Sequence, residues 1–148
     1  MRRTPVLLLV AMLPAGISAQ EKEVLRVPGA VAGLSFSPAV KVGNVIYLSG
    51  QLGNLPGTRT LVPGGIRAET RQTFGNMRAV LEAAGSSLDR VFKCTVFLAD
   101  ISEYEAMNEV YVTVFPVDPP ARSTVAGSGL ALGARVEIEC IATAGAGR

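Results

Sequence analysis

The side chains best suited to chemistry in this chain are one arginine and two glutamates near its end. Arg122 opens the apolar segment "RSTVAG", and Glu137 and Glu139 flank an isoleucine in "ARVEIECIAT". A guanidinium binds a carboxylate through two parallel hydrogen bonds, and a partly desolvated glutamate can take a proton from water. The same residue types also form salt bridges between strands, which is their commoner use. Both interpretations are open on composition alone.

The absence of histidine removes most other catalytic chemistry. The 148 residues contain no histidine and two cysteines, Cys94 and Cys140. Ser-His-Asp and Cys-His catalysis and ordinary zinc sites are therefore excluded. The sequence also lacks a phosphate-binding loop, a dinucleotide fingerprint and a CxxC motif. Carboxylate acid–base chemistry and recognition of an anion by arginine remain.

The first 19 residues have the order typical of a secretory signal peptide. Arg2 and Arg3 precede an apolar run over residues 6–13, and small residues follow it up to Ala19. The run is well short of the roughly 20 residues that a membrane-spanning helix needs. We predict a signal peptide at 1–19, a single domain at 20–148, and a periplasmic or secreted protein.

Removal of this segment changes the charge of the chain. Its 14 basic residues become 12, equal to the 12 acidic ones, so the formal charge falls from +2 to zero. A neutral chain without a basic run lacks the electrostatic footprint of a protein that binds a phosphate backbone. Neither nucleic acid nor, after cleavage, a membrane is an expected partner.

Hydrophobic periodicity predicts the elements that must position these residues. They are a β-hairpin turning at Gly43-Asn44, a helix over 66–84, a strand over 90–100, a helix capped by the box Ser102–Glu105, and strands over 122–127 and 134–143. We expect Gly85 to end the first helix in the left-handed conformation and Gly75 to mark a close packing contact.

This order predicts an α+β fold in which the helices cover one face of a sheet. In the last strand Val136, Ile138 and Cys140 suit the covered face, so Glu137 and Glu139 lie on the uncovered one.

The strand over 90–100 follows the same alternation, which assigns Phe92, Cys94, Val96 and Leu98 to the covered face. Cys94 and Cys140 then both lie under the helices. A disulfide is possible only if their strands are neighbours in register. Two separate buried thiols are expected, because free cysteine is a common core residue.

Five segments together resemble the reactive-intermediate deaminase family, RidA or YjgF. They are "PGAVAG", "NVIYLSGQLG", "GNMRAVLEAAGSSLDRVFKCTVFLADISEYEAMNEVY", "PPARSTV" and "RVEIECIA", in this order within about residues 28 to 145. The resemblance implies a chorismate-mutase-like α+β fold, a mixed sheet with two helices on one face. It also implies a homotrimer whose uncovered faces form a central barrel with clefts between subunits.

The resemblance also implies cofactor-free hydrolysis of 2-imino acids and their enamines to 2-keto acids and ammonia. In it, Arg122 matches the arginine that holds the substrate carboxylate, Glu137 the glutamate that activates water, and Ser49 and Asn108 two positions lining the cleft. From residue type alone, Ser49 could equally bond locally at a strand end and Asn108 could bond a neighbouring loop. Glu139 matches no catalytic role.

Two residues depart from the family pattern. Phe36 stands where tyrosine is usual, in a loop that is two residues longer, and it keeps an apolar wall without a hydroxyl. Thr124 stands where many members have cysteine, so its hydroxyl can bond a carboxylate oxygen but thiol chemistry is excluded.

The predicted function is therefore a 2-imino acid deaminase without metal or cofactor. The alternative is a non-catalytic trimeric protein of the same fold that binds small carboxylates outside the cytoplasm. RNA cleavage is disfavoured by the neutral charge and the low aromatic content of 5%. A chaperone role would require a large exposed apolar patch.

Overall fold

The computed structural model describes residues 20–28 and 31–145, so the predicted signal peptide at 1–19 lies outside it. In chain order its strands and α-helices are β1 (Lys22–Leu25), β2 (Ala39–Val42), β3 (Val45–Leu48), β4 (Gln51–Leu52), α1 (Gly65–Ala83), β5 (Val91–Leu98), α2 (Tyr104–Val114), β6 (Ala121–Ala126) and β7 (Val136–Thr143). None of the helices in these ranges combines the length and the hydropathy needed to cross a membrane.

The strands form one mixed sheet in the order β1-β2-β3-β7-β5-β6, and β4 pairs with β7 beyond the end of β3. The pair β5–β6 is parallel and every other pair is antiparallel. A parallel pair needs a crossover connection, which α2 supplies between β5 and β6. The predicted α+β class, a mixed sheet with two helices on one face, is confirmed.

The predicted hairpin is confirmed, whereas the short strands β1 and β4 were not predicted. Gly43, at φ 58°, and Asn44 form the two-residue turn that joins β2 to β3. Such turns need positive φ, which glycine adopts without strain. The segment before the hairpin forms β1, an edge strand with little burial, and its two charged residues followed by two apolar ones show no alternation that would predict a strand.

Helix α1 packs on the sheet through an apolar stripe that includes the buried Phe74, Met77 and Leu81. Gly85 follows the helix at φ 70°, as predicted. The prediction for Gly75 is wrong, because this glycine is exposed on the helix. The close approach is at Gly53 instead, where a Cβ atom would lie 2.6 Å from the Cα of Glu69.

Helix α2 begins differently from the prediction. Residues Ile101–Glu103 form a turn of 3₁₀ helix, and Asp100 Oδ1 accepts a hydrogen bond of 2.8 Å from the backbone N–H of Ser102. The side-chain cap is therefore Asp100, at the start of the 3₁₀ turn, and α2 itself follows Glu103, which makes no capping hydrogen bond. The capping box was wrong because the tighter turn moves the cap two residues upstream.

The covered face of β7 is as predicted, and that of β5 differs at one residue. Val136, Ile138 and Cys140 are buried beneath the helices. In β5 the register with β7 shifts between Val91 and Lys93. This bulge buries Val91 and leaves Phe92 46% exposed, so the assignment of Phe92 to the covered face is wrong.

Cys94 and Cys140 form a disulfide, which corrects the expectation of two thiols. They are direct partners in the antiparallel pair β5–β7, with Cα atoms 4.1 Å apart, and both are buried. Directly opposite residues on neighbouring strands come close enough for bonding, and this register is a property of the assembled sheet. The bond ties together the neighbouring strands β7 and β5 on the covered face.

Candidate active site

Arg122 lies on the edge strand β6 with its side chain toward helix α2. Its strand register pairs it with Cys94, on the covered side of the sheet. Nη1 donates a hydrogen bond of 2.9 Å to Asn108 Oδ1, and Nη2 donates one of 2.7 Å to the hydroxyl of Tyr104. A guanidinium has five N–H donors, so three remain for a ligand, and a carboxylate takes two.

Two tyrosine rings also hold this guanidinium. Its Cζ atom lies 4.3 Å from the ring centroid of Tyr111 and 5.4 Å from that of Tyr104. Tyr111 is buried, and loss of hydration raises the pKa of its phenol, while the charge of Arg122 acts in the opposite direction. Stacking on aromatic faces and hydrogen bonds at two nitrogens orient Arg122 before any ligand binds.

Tyr104 is the site residue that the sequence reasoning missed. It lies four residues before Asn108 on α2, and residues at this spacing share one face of a helix. That spacing from a residue already assigned to the cleft is the signal that could have identified it. Asn108 itself binds Arg122 rather than a loop, so its contribution is to position the guanidinium.

Thr124 follows Arg122 by two positions on β6 and therefore shares its side of the strand. Its Oγ1 is buried and has no hydrogen-bond partner in residues 20–28 and 31–145, and the same is true of the Tyr111 hydroxyl. Buried hydroxyls normally have partners. Both hydroxyls have almost no accessible surface, so a ligand bound at Arg122 does not reach them without a local rearrangement.

Glu137 lies on the other face of the sheet, between the buried Val136 and Ile138. Its carboxylate packs against the Cα of Gly50, where a Cβ atom would overlap Oε1. Loss of hydration raises the pKa of Glu137, and the negative charge of Glu139 raises it further. A carboxylate with a raised pKa is a stronger base than an ordinary glutamate, as activation of water requires.

The start of β7, which carries Glu137, is anchored by α1. The buried Glu69 accepts a hydrogen bond of 2.8 Å from the backbone N–H of Arg135 through Oε2. On the other side of the strand, Ala99 N–H donates one of 3.0 Å to the carbonyl of Arg135. A helix and a strand therefore place Glu137.

Ser49 and Phe36 lie near each other, at the end of β3 and in the loop before β2. The hydroxyl of Ser49 donates a hydrogen bond of 2.6 Å to the carbonyl of Ser37, and its backbone N–H donates one of 3.0 Å to that of Pro38. This is the local bonding that residue type alone allows. Phe36 is 55% exposed and lines a cavity of about 620 Å³ that also reaches Gly50.

The six predicted site residues thus form two groups in one chain. Arg122, Asn108 and Thr124 lie together on the helix side of the sheet edge. Phe36, Ser49 and Glu137 gather around Gly50. One chain does not bring the two groups together. Within the described ranges, no three His, Cys, Asp or Glu residues cluster as metal ligands would.

Known proteins share both the sequence and the fold. The family model described as Endoribonuclease L-PSP matches residues 28–144. The chloroplastic Reactive Intermediate Deaminase A of Arabidopsis thaliana is 40% identical over 134 residues, 90% of this chain and 72% of the relative. The 2-iminobutanoate/2-iminopropanoate deaminase of Homo sapiens is 41% identical over 120 residues, 81% of this chain and 86% of the relative.

The crystal structure of RidA from an Antarctic Psychrobacter species superposes with a TM-score of 0.76 at 42% identity, covering 82% of this chain and 98% of that one. Sequence and fold agree across nearly all of the described residues. The chain belongs to the Endoribonuclease L-PSP family, which includes the RidA and YjgF proteins.

Proposed function

We propose that this protein hydrolyses 2-imino acids and their enamine tautomers to 2-keto acids and ammonia. The relatives named 2-iminobutanoate/2-iminopropanoate deaminase support this reaction class. In this chain, the observation that supports the reaction is the way in which the Arg122 guanidinium is held. Its guanidinium is held by Asn108 and Tyr104 and still has the donors that a substrate carboxylate needs.

The proposed reaction requires orientation and proton transfer. The carbon of a protonated imine is already electrophilic, so neither a metal nor a covalent nucleophile is needed. Arg122 fixes the substrate carboxylate, which orients that carbon. Glu137 takes a proton from a water molecule as the water oxygen bonds to the imine carbon, and the C=N double bond becomes a C–N single bond. Glu137 then gives this proton to the nitrogen, the C–N bond breaks and ammonia leaves, and Glu137 takes up the remaining hydroxyl proton as the keto group forms.

A site that uses both residues takes them from two chains, because Arg122 and Glu137 lie on different faces of their own sheet. We propose a homotrimer with this site between subunits. Apolar side chains on the uncovered face favour such an assembly, including Tyr47 at 45% exposure and Val125 at 48%. Apolar surface of this kind is buried when copies associate.

We also propose that the protein is exported and acts outside the cytoplasm. Support comes from the sequence of residues 1–19 alone. Loss of this segment leaves a chain of zero formal charge, which is the reason that RNA cleavage, the activity in the family's description, is not proposed.

The deciding experiment couples an L-amino-acid oxidase, which generates imines, to an assay of keto acid release with semicarbazide present to trap free imine. Protein of residues 20–148 is expected to accelerate keto acid release and to elute as a trimer when scattering and chromatography are combined. A monomer without acceleration would contradict the proposal.

Binding without catalysis is the second candidate function. One observation favours it: the surroundings of Arg122 are complete in a single chain, whereas Glu137 is on the opposite face. Calorimetry with 2-keto acids distinguishes the two functions. Binding without any acceleration of imine hydrolysis would support a receptor for small carboxylates.

A further inference from the structure

A cavity beside the candidate base has no assigned role. Its volume is about 620 Å³, and its walls come from the loop before β2, the loop after β4, helix α1 and the turn before β7. The side chains that decide its character are Leu34, Phe36, Leu52, Ala79, Val80 and Leu132. The cavity is therefore mainly apolar.

The polar side chains in its walls are largely occupied by neighbouring groups. Asn76 Nδ2 donates hydrogen bonds of 2.9 Å to the carbonyls of Leu52 and Asn54, and Gln51 Nε2 donates one of 3.0 Å to that of Ser49. Among the described lining residues, Arg59 is the only charged one. Such a cavity favours an uncharged apolar group and disfavours a basic one.

Gly50 connects this cavity to Glu137. The glycine belongs to the cavity wall, and the Glu137 carboxylate packs against its Cα. A substrate whose reacting carbon accepts water activated by Glu137 would therefore have the cavity nearby. The side chain on that carbon is the part of the substrate that can enter it.

We propose that the preferred substrates are 2-imino acids with bulky, uncharged side chains, branched aliphatic or aromatic, which occupy this cavity. This inference rests on the proposed deaminase function. It differs from the substrates in the relatives' names, since 2-iminopropanoate and 2-iminobutanoate carry only methyl and ethyl side chains. A side chain of that size leaves most of the cavity unfilled.

The size of the preference follows from burial. Each additional CH₂ group removed from water strengthens binding about fourfold. A leucine-derived imine has three more side-chain carbons than an alanine-derived one. Its kcat/KM is therefore expected to be higher by about 10- to 100-fold, within the usual range for apolar pockets.

The test compares imines generated from leucine, phenylalanine and alanine, using the wild-type protein and two matched variants. Ala79 and Ala83 are both exposed and lie one turn apart on α1, and only Ala79 lines the cavity. Ala79→Phe places a ring inside the cavity and should lower the leucine-to-alanine ratio of kcat/KM about tenfold or more. Ala83→Phe adds the same ring outside it and should leave that ratio unchanged.

The outcomes separate this inference from the proposed function. Activity that favours the alanine-derived imine, or a ratio that Ala79→Phe does not change, would overturn the inference and leave the deaminase function standing. If no imine is hydrolysed, the deaminase function fails. Calorimetry then compares 4-methyl-2-oxopentanoate with pyruvate: tighter binding of the larger acid, lost in Ala79→Phe, supports the cavity assignment, and equal binding overturns it.

Discussion

Arg122 and Glu137 lie on opposite faces of one β-sheet. Arg122 is in register with Cys94, whose side chain is buried under the helices, and Glu137 is in register with Phe97 on the uncovered face. The two charges therefore form no salt bridge within the chain, which was the simpler interpretation of the sequence. On one face, Arg122 is held by Asn108 and Tyr104 and keeps N–H donors for a ligand. On the other face, Glu137 is a partly desolvated base.

Replacing Arg122 by alanine should abolish detectable imine hydrolysis, because the substrate carboxylate loses its charged anchor. Arg122→Lys should also be severely impaired, since an ammonium group cannot reproduce the planar two-point contact. The measurement is kcat/KM for keto acid release. Arg71→Ala, at an exposed position of α1, is the control and should behave as wild type. Wild-type kinetics in Arg122→Ala would refute this role.

Glu137→Gln should preserve folding and assembly while slowing turnover by about 100- to 10,000-fold, the contribution of a general base. The raised pKa of Glu137 adds a second readout. Because the pKa of Glu137 is higher in the folded than in the unfolded state, its ionisation lowers the stability of the fold as the pH rises from the unfolded-state pKa through the folded-state pKa. The variant should therefore be more stable than wild type at neutral pH, with the difference vanishing in acid. Unchanged turnover would show that Glu137 is not the base.

Glu139 should tune the pH dependence without taking part in the reaction. Its negative charge contributes to the raised pKa of Glu137, after the larger effect of desolvation. Glu139→Gln removes that charge, so the pKa of Glu137 falls and the acidic limb of the kcat/KM profile moves to lower pH. Glu82→Gln, on the exposed side of α1, should leave the profile in place. A limb that does not move in Glu139→Gln would contradict the coupling.

Tyr104→Phe should weaken substrate binding more than turnover. The variant keeps the aromatic ring and removes the hydroxyl that accepts from Arg122 Nη2. Because this contact is partly exposed, its loss is expected to raise KM by about 3- to 10-fold with a smaller effect on kcat. Tyr47→Phe loses a hydroxyl on the opposite sheet face and serves as the control. Equal KM values in the two variants would exclude a positioning role.

Reducing the disulfide between Cys94 and Cys140 should destabilise the domain. The bond joins residues separated by 46 positions, and a loop of this length corresponds to about 4 kcal/mol of free energy of unfolding in the chain-entropy account. The protein is refolded with and without a thiol-free reductant, and urea unfolding then measures the difference in free energy of unfolding between the two forms. Thiol titration confirms the redox state of each form. Coincident transitions for the two forms would show that the bond contributes nothing.

Local patterns in the chain were enough to predict most elements and one face of the sheet. The placement of Glu137 on the uncovered face follows from the alternation of Val136, Glu137 and Ile138, because successive side chains of a strand point to opposite sides. The predicted bounds of α1 differ from the observed ones by one residue. The bulge at Phe92 was not predictable, since it depends on how β5 pairs with a strand formed more than 40 residues later.

The candidate site divides in the same way. The sequence, with its family resemblance, predicted Arg122 and Asn108 as site residues, and it did not show that Asn108 and Tyr104 bind the guanidinium. Similarly, Cys94 and Cys140 were assigned to one face but not to each other. Side-chain partners and strand register are contacts between residues far apart in the chain, which periodicity does not encode.

By itself the sequence determined the order of the main elements, the faces of most strand residues and the residue types available for chemistry, because these depend on spacing along the chain. Only the tertiary structure decided that Arg122 and Glu137 face different spaces, that the cysteines bond, and that a cavity lies beside Gly50. These features depend on how strands pair and helices pack, because each contact joins residues that are far apart in the sequence.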